Sequence, residues 1–325
     1  MHPPEVVVSC GDPQGIGPEV SLAGALLFLE REPRARITLV GPRRFLLAQA
    51  ERSGLGLHGM PPLPGRPALL EVEDPEAELP PPPSAAGGAL ALRSLQAAFR
   101  RVREDPRGRV LVTAPLSKEA VARTLPGFRG HTDWLAEACG LDEEEATMLF
   151  LAEDLRVALG TVHLPLAHVP AALSVDLLLR RLRCLRAFGR RHLGLPEPRV
   201  AVLALNPHAG EGGLLGGEEI EIIAPALRAF AAEGGRASGP HGADVFFSSP
   251  PAREADFVLA MYHDQGLLPV KLQSFGRAVN VTAGLPIVRT SVDHGCAFDI
   301  AGRGLARADA MAEAIRTAVA LLPSS

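Results

Sequence analysis

Residues 6–29 read VVVSCGDPQGIGPEVSLAGALLFL, and this stretch decides the fold. Val6 to Ser9 is a β-branched run, which predicts a strand; Cys10-Gly11-Asp12-Pro13 is turn chemistry; Pro18 to Leu29 reads as a helix. Strand, tight turn and helix in that order form the opening unit of an α/β protein. The turn contains Gly15-Ile16-Gly17, yet no GxGxxG with an acidic residue on the following strand, so it is a poor Rossmann fingerprint. Its glycines and prolines instead fit a tight backbone turn close to a ligand.

The same alternation continues outward from this unit. Strands are predicted at Arg36–Val40, Arg109–Thr113, Arg156–Val162, Arg199–Leu205, Asp256–Met261, Val279–Thr282 and Ile287–Val288. Helices are predicted at Leu90–Val102, Asp133–Ala138, Ala171–Phe188, Glu218–Ala232 and Ala306–Leu322. Residues 61–88 hold two proline-rich stretches, PPLPG (61–65) and LPPPPSAAGG (79–88), which read as loop and not necessarily as a domain boundary. The expectation is an α/β fold, with helices flanking a largely parallel sheet.

A chain of 325 residues is long enough for about two lobes. With 47% hydrophobic and 22% charged residues it has the profile of an ordinary globular protein. A net charge of −4 argues against nucleic acid or an anionic membrane as partner. No apolar run approaches the roughly 20 residues that span a bilayer. The start, MHPPEVVVSC, lacks the basic and apolar regions of a secretory signal, so a cytoplasmic protein is expected. Cys10, Cys139, Cys184 and Cys296 are far apart, with no CxxC, and read as free thiols.

Compositional drift makes some residues conspicuous. Lys118 and Lys271 are the only lysines, and Asn206 and Asn280 the only asparagines. Where arginine has displaced lysine, a surviving lysine marks a place where a compact ammonium is wanted. By contrast Arg180, Arg181, Arg183, Arg186, Arg190 and Arg191 read as a solvated face near a helix end, where cations suit the dipole.

Open α/β sheets bind ligands at the carboxyl ends of their strands. Three histidines fall just there: His163 in Thr-Val-His-Leu-Pro, His208 in Asn-Pro-His-Ala-Gly-Glu, and His263 in Tyr-His-Asp-Gln-Gly. Three imidazoles suit a divalent metal and leave a position open for substrate, but their spacing matches no short metal motif. Coincidence and a metal site both stay open on the residues alone. A second group could hold an anion: Gly130-His131-Thr132 opens a helix, and Lys271, Asn280 and Arg289 add an ammonium, an amide and a guanidinium. Thr132 could equally be a simple helix cap. The long loop from Asp293 to Gly304, DHGCAFDIAGRG, precedes the closing helix.

These segments resemble one known family. GDPQGIGPE (11–19), TAPLSKEA (113–120), GHTDWLAE (130–137), ALNPHAGEGG (204–213), GPHGADVFF (239–247), AMYHDQGLLPVK (260–271) and FGRAVNVTAGLPIVRTSVDHGCAFDIAGRG (275–304) are similar, in order, to the 4-hydroxythreonine-4-phosphate dehydrogenase family. The resemblance implies a two-lobed α/β/α fold like isocitrate and isopropylmalate dehydrogenases. One lobe would comprise 1–140 plus 300–325 and the other 141–299, with the active site in the cleft and at the interface of a homodimer. It implies that His163, His208 and His263 bind a divalent metal (Zn, Mg or Co). His131, Thr132, Lys271, Asn280 and Arg289 would bind substrate. Lys271, Asp244 and Asp264 would serve catalysis, and Gly295, Asp299, Ala301 and Gly302 would hold NAD or NADP. The implied reaction oxidises 4-phosphohydroxy-L-threonine to 2-amino-3-oxo-4-(phosphooxy)butanoate, which decarboxylates to 3-amino-2-oxopropyl phosphate in vitamin B6 biosynthesis.

One departure stands out: His241 and Gly242 replace a larger apolar residue and a proline usual in that segment. The nearest alternative keeps fold and mechanism but changes the substrate to a phosphorylated sugar acid such as 4-phospho-D-threonate or erythronate, or to an aromatic cis-dihydrodiol carboxylate. A metal-dependent phosphatase or a non-enzymatic anion binder would leave the 293–304 loop without a use.

Overall fold

A computed structural model describes residues 3–52, 65–73, 78–249, 252 and 254–323. His2, His58 and the start of the proline-rich stretch, 61–64, lie outside the described residues. The chain divides into two compact units, one made of residues up to Leu135 together with those from Pro286 onward, the other of Ala136–Leu285.

The first unit opens with β1 (Glu5–Ser9), α1 (Gly17–Arg31), β2 (Arg36–Pro42), α2 (Arg43–Arg52) and β3 (Ala68–Val72). It continues with α3 (Ala85–Glu104), β4 (Arg109–Thr113), α4 (Lys118–Ala122) and α5, which begins at His131 (His131–Ala138). The second unit runs through β5 (Thr147–Ala152), β6 (Leu155–Leu159), α6 (Val169–Ala172), α7 (Val175–His192) and β7 (Arg199–Leu203). After a π-turn at Glu219–Ile223 come α8 (Ala224–Ala232), β8 (Arg236–His241), α9 (Ala243–Phe246), β9 (Phe257–Ala260), α10 (His263–Ser274) and β10 (Val279–Ala283). The chain then returns to the first unit with β11 (Arg289–Val292) and α11 (Asp309–Ala320).

The α/β expectation holds in both units. The first unit orders its strands β3-β2-β1-β4-β11, all parallel. Val6, Val7 and Val8 are fully buried, as a central parallel strand covered on both faces must be. The second unit orders its strands β10-β5-β6-β9-β7-β8. Its β6, β9, β7 and β8 are parallel, while β5 is antiparallel to both neighbours. Phe150, Val157, Leu159, Leu203, Val258 and Leu267 form its core.

The structure corrects four sequence expectations. Helix α3 begins at Ala85, inside the 79–88 stretch read as loop, with Ser84 as its cap. Residues 263–274 form a helix where the sequence reads only a strand-end turn at 262–266, because Gly266 and Pro269 disguise it. Gly266 is required by packing: a Cβ there would come 2.9 Å from both Leu159 and Val157 of β6. The last strand occupies Arg289–Val292 rather than 287–288, since Arg289, Thr290 and Ser291 are polar yet buried and escape a hydrophobicity reading. Arg181 is no part of a solvated face: it is buried, and its Nη1 donates to the carbonyls of Glu144 and Ala146 at 2.7 Å each. It fastens α7 to the backbone ahead of β5.

Candidate active site

In the second unit β6, β9 and β7 lie side by side and point the same way. Their carboxyl ends therefore meet along one edge, and His163, His263 and His208 each follow one of them. The ends are stitched together. Thr161 donates through both N–H and Oγ to the Met261 carbonyl, at 3.1 and 2.8 Å. Gln265 accepts from the Met261 N–H at 2.7 Å and donates through Nε2 to the Ala204 carbonyl at 2.6 Å. These bonds fix the β6–β9 and β9–β7 ends against each other.

The rings of His163 and His263 stand 5.8 Å apart between centroids. Nδ1 of His263 meets Asp264 Oδ1 at 2.7 Å, which fixes that ring and presents Nε2 as its outward donor atom. His163 and His208 both sit in left-handed backbone, at φ 49° and 52°. After His208 the turn stays left-handed through Ala209, Gly210, Glu211 and Gly212. Non-glycine residues pay for this conformation, on the order of 1–2 kcal/mol each, and such residues cluster at working sites. Buried Glu219 holds the turn's entrance by accepting the N–H groups of Leu205 and Asn206, both at 2.8 Å. Among the described residues no three His, Cys, Asp or Glu side chains are gathered closely enough to hold an ion.

Lys271 and Asn280 belong to the same unit, on α10 and β10. Asn280 Oδ1 is buried without a hydrogen-bond partner, an atom whose desolvation a ligand donor would relieve. Asp244 is exposed in the first turn of α9. His241, the departure noted in the sequence, pairs through Nε2 with Ser238 Oγ at 2.8 Å and lies against the Phe246 ring.

The first unit holds an anion-binding group. Arg289 is only 2% exposed, and its Nε and Nη2 donate to Thr113 Oγ1 at 3.2 and 2.6 Å. Burial pushes its guanidinium down to about 9, so it keeps its charge at neutral pH. His131 opens α5 with Nε2 buried and unpartnered. Burial, reinforced by the charges of Arg289 and Lys118, holds its imidazole well below the usual histidine range. Thr132 follows it, half-buried. A buried guanidinium beside a neutral imidazole at a helix start is matched to a phosphate or carboxylate.

The loop carrying Gly295, Asp299, Ala301 and Gly302 packs on the opening 11–19 turn. The Ile16 N–H donates to the Cys296 carbonyl at 2.9 Å, and the Gly302 N–H to Glu19 Oε2 at 3.2 Å. Gly11 permits the turn itself: φ is +67°, and a Cβ would strike the Pro115 carbonyl oxygen at 2.1 Å. Thr113, Glu19, Glu219 and Gln265 were not singled out from the sequence. The signal for Glu219 and Gln265 was present, each being polar at a helix position facing a strand end, but it needs the strand order to be read.

An α/β chain with imidazoles along one strand edge, an anion group and a glycine-bearing loop is the frame of a small-molecule enzyme. The family model described as "Pyridoxal phosphate biosynthetic protein PdxA" matches residues 48–318. A 4-hydroxythreonine-4-phosphate dehydrogenase from Acidithiobacillus ferrooxidans is 42% identical over 328 residues, spanning 98% of this chain and 96% of that one. Among solved structures, 4-hydroxythreonine-4-phosphate dehydrogenase from Klebsiella pneumoniae has TM-score 0.86 and 34% identity, over 98% of this chain and 99% of that one. A terephthalate 1,2-cis-dihydrodiol dehydrogenase from Burkholderia xenovorans LB400 has TM-score 0.67 and 30% identity, over 98% of each chain. The chain belongs to the pyridoxal phosphate biosynthetic protein PdxA family. It is an oxidoreductase of the dehydrogenase class.

Proposed function

We propose that this chain oxidises 4-phosphohydroxy-L-threonine with NAD or NADP, aided by a divalent metal, and that the 3-oxo acid formed loses carbon dioxide to give 3-amino-2-oxopropyl phosphate. The observation that carries the reading is the set of three neighbouring parallel strands whose ends deliver His163, His263 and His208, two of them in left-handed backbone. The donor types suit zinc or cobalt better than magnesium, which prefers oxygen ligands: they are imidazole nitrogens, one of them oriented through its second nitrogen by a carboxylate. His163, His208 and His263 would hold the ion, which would supply Lewis acidity at the substrate hydroxyl, and a bound dinucleotide would supply the hydride acceptor.

The chain's own residues do the rest. Arg289, His131 and Thr132 bind the phosphate end, and Lys271 and Asn280 the polar groups nearer the hydroxyl. In this reading Lys271 takes the hydroxyl proton, Asp264 orients His263, and Asp244 polarises the substrate. Gly295, Asp299, Ala301 and Gly302 bind the dinucleotide, on a loop braced by Glu19. The protein acts in the cytoplasm as a homodimer. Leu268 and Leu272, 63% and 74% exposed at helical spacing on α10, and Phe275, 82% exposed just past its end, support a second copy covering these apolar side chains.

Stripping the protein with a chelator should abolish NADH formation, and restoring zinc or cobalt should return it. Full turnover by demonstrably metal-free protein would overturn the metal assignment. A second reading, an aromatic cis-dihydrodiol carboxylate as substrate, is favoured by the Burkholderia relative and by the His241-Gly242 departure.

A further inference from the structure

We propose that Lys118 is the third cationic arm of the anion pocket in the first unit, acting with Arg289 and His131 to select a phosphate monoester dianion over a carboxylate. This rests on the assignment of His131 and Arg289 to the substrate's phosphate and deepens it.

Lys118 is one of two lysines in the chain, and the other belongs to the substrate group already described. It starts α4 directly after Ser117, whose Oγ caps the helix by accepting the Ala120 N–H at 3.1 Å. That cap fixes where the lysine stem leaves the backbone. The stem then runs over Gly130, the residue before α5: a Cβ built on Gly130 would come 3.2 Å from Lys118 Cε and 3.6 Å from Nζ. The Asp133 carboxylate approaches the same point to 3.9 Å. The ammonium thus lies at the first turn of α5, whose leading amides have no acceptor within the helix. His131 is the next residue, its Nε2 buried and unpartnered. Arg289 and Lys118 both press on that imidazole with positive charge.

Two cations converging on one neutral imidazole repel each other, and an anion between them relieves the cost. A carboxylate is satisfied by one guanidinium fork. A phosphate dianion has three terminal oxygens and two charges, and it matches a guanidinium, an ammonium and an imidazole N–H together. Lysine brings a compact point charge on a narrow stem to this corner, where arginine would bring a planar fork.

The test is a calorimetric titration of the full chain with inorganic phosphate, using the unmodified protein, His131→Ala, Lys118→Met and Lys118→Arg, with melting temperatures measured beside it. The pocket predicts that His131→Ala weakens binding. The proposal predicts that Lys118→Met raises the phosphate Kd about tenfold or more. Lys118→Arg should recover part of that loss, with melting temperatures unchanged. Equal phosphate affinity in Lys118→Met and unmodified protein, with His131→Ala still impaired, overturns the role of Lys118 and leaves the pocket standing. A fall in melting temperature that accounts for the loss, or equal loss in both lysine variants, also overturns it. No phosphate binding by the unmodified protein, or binding indifferent to His131, removes the anion pocket itself.

Discussion

Two buried charges show what a single residue contributes here. Glu5 is 2% exposed and meets Thr38 Oγ1 at 2.5 Å, Arg101 Nε at 2.7 Å and Arg109 Nε at 3.1 Å. Burial alone would raise its carboxyl, but the hydrogen bonds from Arg101 and Thr38 and the charges of Arg101 and Arg109 outweigh it and leave it below the ordinary value. A carboxyl depressed by folding stabilises the folded state above its unfolded pKa, and the contribution is lost as pH falls through the folded value. Stability measured by urea unfolding should therefore drop in acid. Glu5→Gln should cost about 1–3 kcal/mol at neutral pH and flatten part of that acid dependence. Arg181 is the companion case. Methionine in its place strands the carbonyls of Glu144 and Ala146, and a loss of about 3 kcal/mol is expected in the same assay. Neither role was legible beforehand, because Arg181 lies in a run of arginines whose other members are surface residues in composition, and burial of one is decided by its partners. The three strand-end histidines were legible, because an apolar run ending in a polar, glycine-bearing turn is a local signal.

At the scale of elements, the histidine-bearing edge depends on parts that bind nothing themselves. Helix α10 lies against β6 only because Gly266 has no side chain. Gly266→Ala should cost about 1–3 kcal/mol by overpacking against Leu159 and Val157, and should lower activity by shifting His263. Melting temperature and kcat/KM read the two effects separately. Glu219 anchors the left-handed turn after β7, so Glu219→Ala should weaken metal binding about tenfold or more while α8 remains folded, as read by metal titration and circular dichroism. The strands β1, β2, β4, β6, β7, β9 and β10 could be read from the sequence because β-branched and apolar residues dominate them. β3 and β5 were missed altogether, and β8, with Gly239-Pro240 inside it on the edge of its sheet, carries no strand signal in its residues. Strand order, which makes neighbours of residues 163, 263 and 208, is a long-range property that no window of sequence contains.

For the whole molecule, the α/β class was readable from the first 29 residues and the family from the order of its segments, while the pairing of the opening turn with the 293–304 loop was not. Cys10 and Cys296 are buried in the first unit, and burial pushes both thiols up to about 12, with the charge of Asp12 adding to the effect at Cys296. Native protein should leave both unmodified by a thiol reagent that labels all four cysteines after denaturation, as peptide mass mapping would show. The central proposal is the metal-dependent oxidation of 4-phosphohydroxy-L-threonine. It is tested most directly by NADH formation from 4-phosphohydroxy-L-threonine, run with metal-loaded protein beside 4-phospho-D-threonate and repeated with His208→Ala. The account predicts fast, metal-dependent turnover of the amino acid substrate that the variant loses. Turnover of the sugar acid alone, or undiminished turnover in His208→Ala, would contradict it.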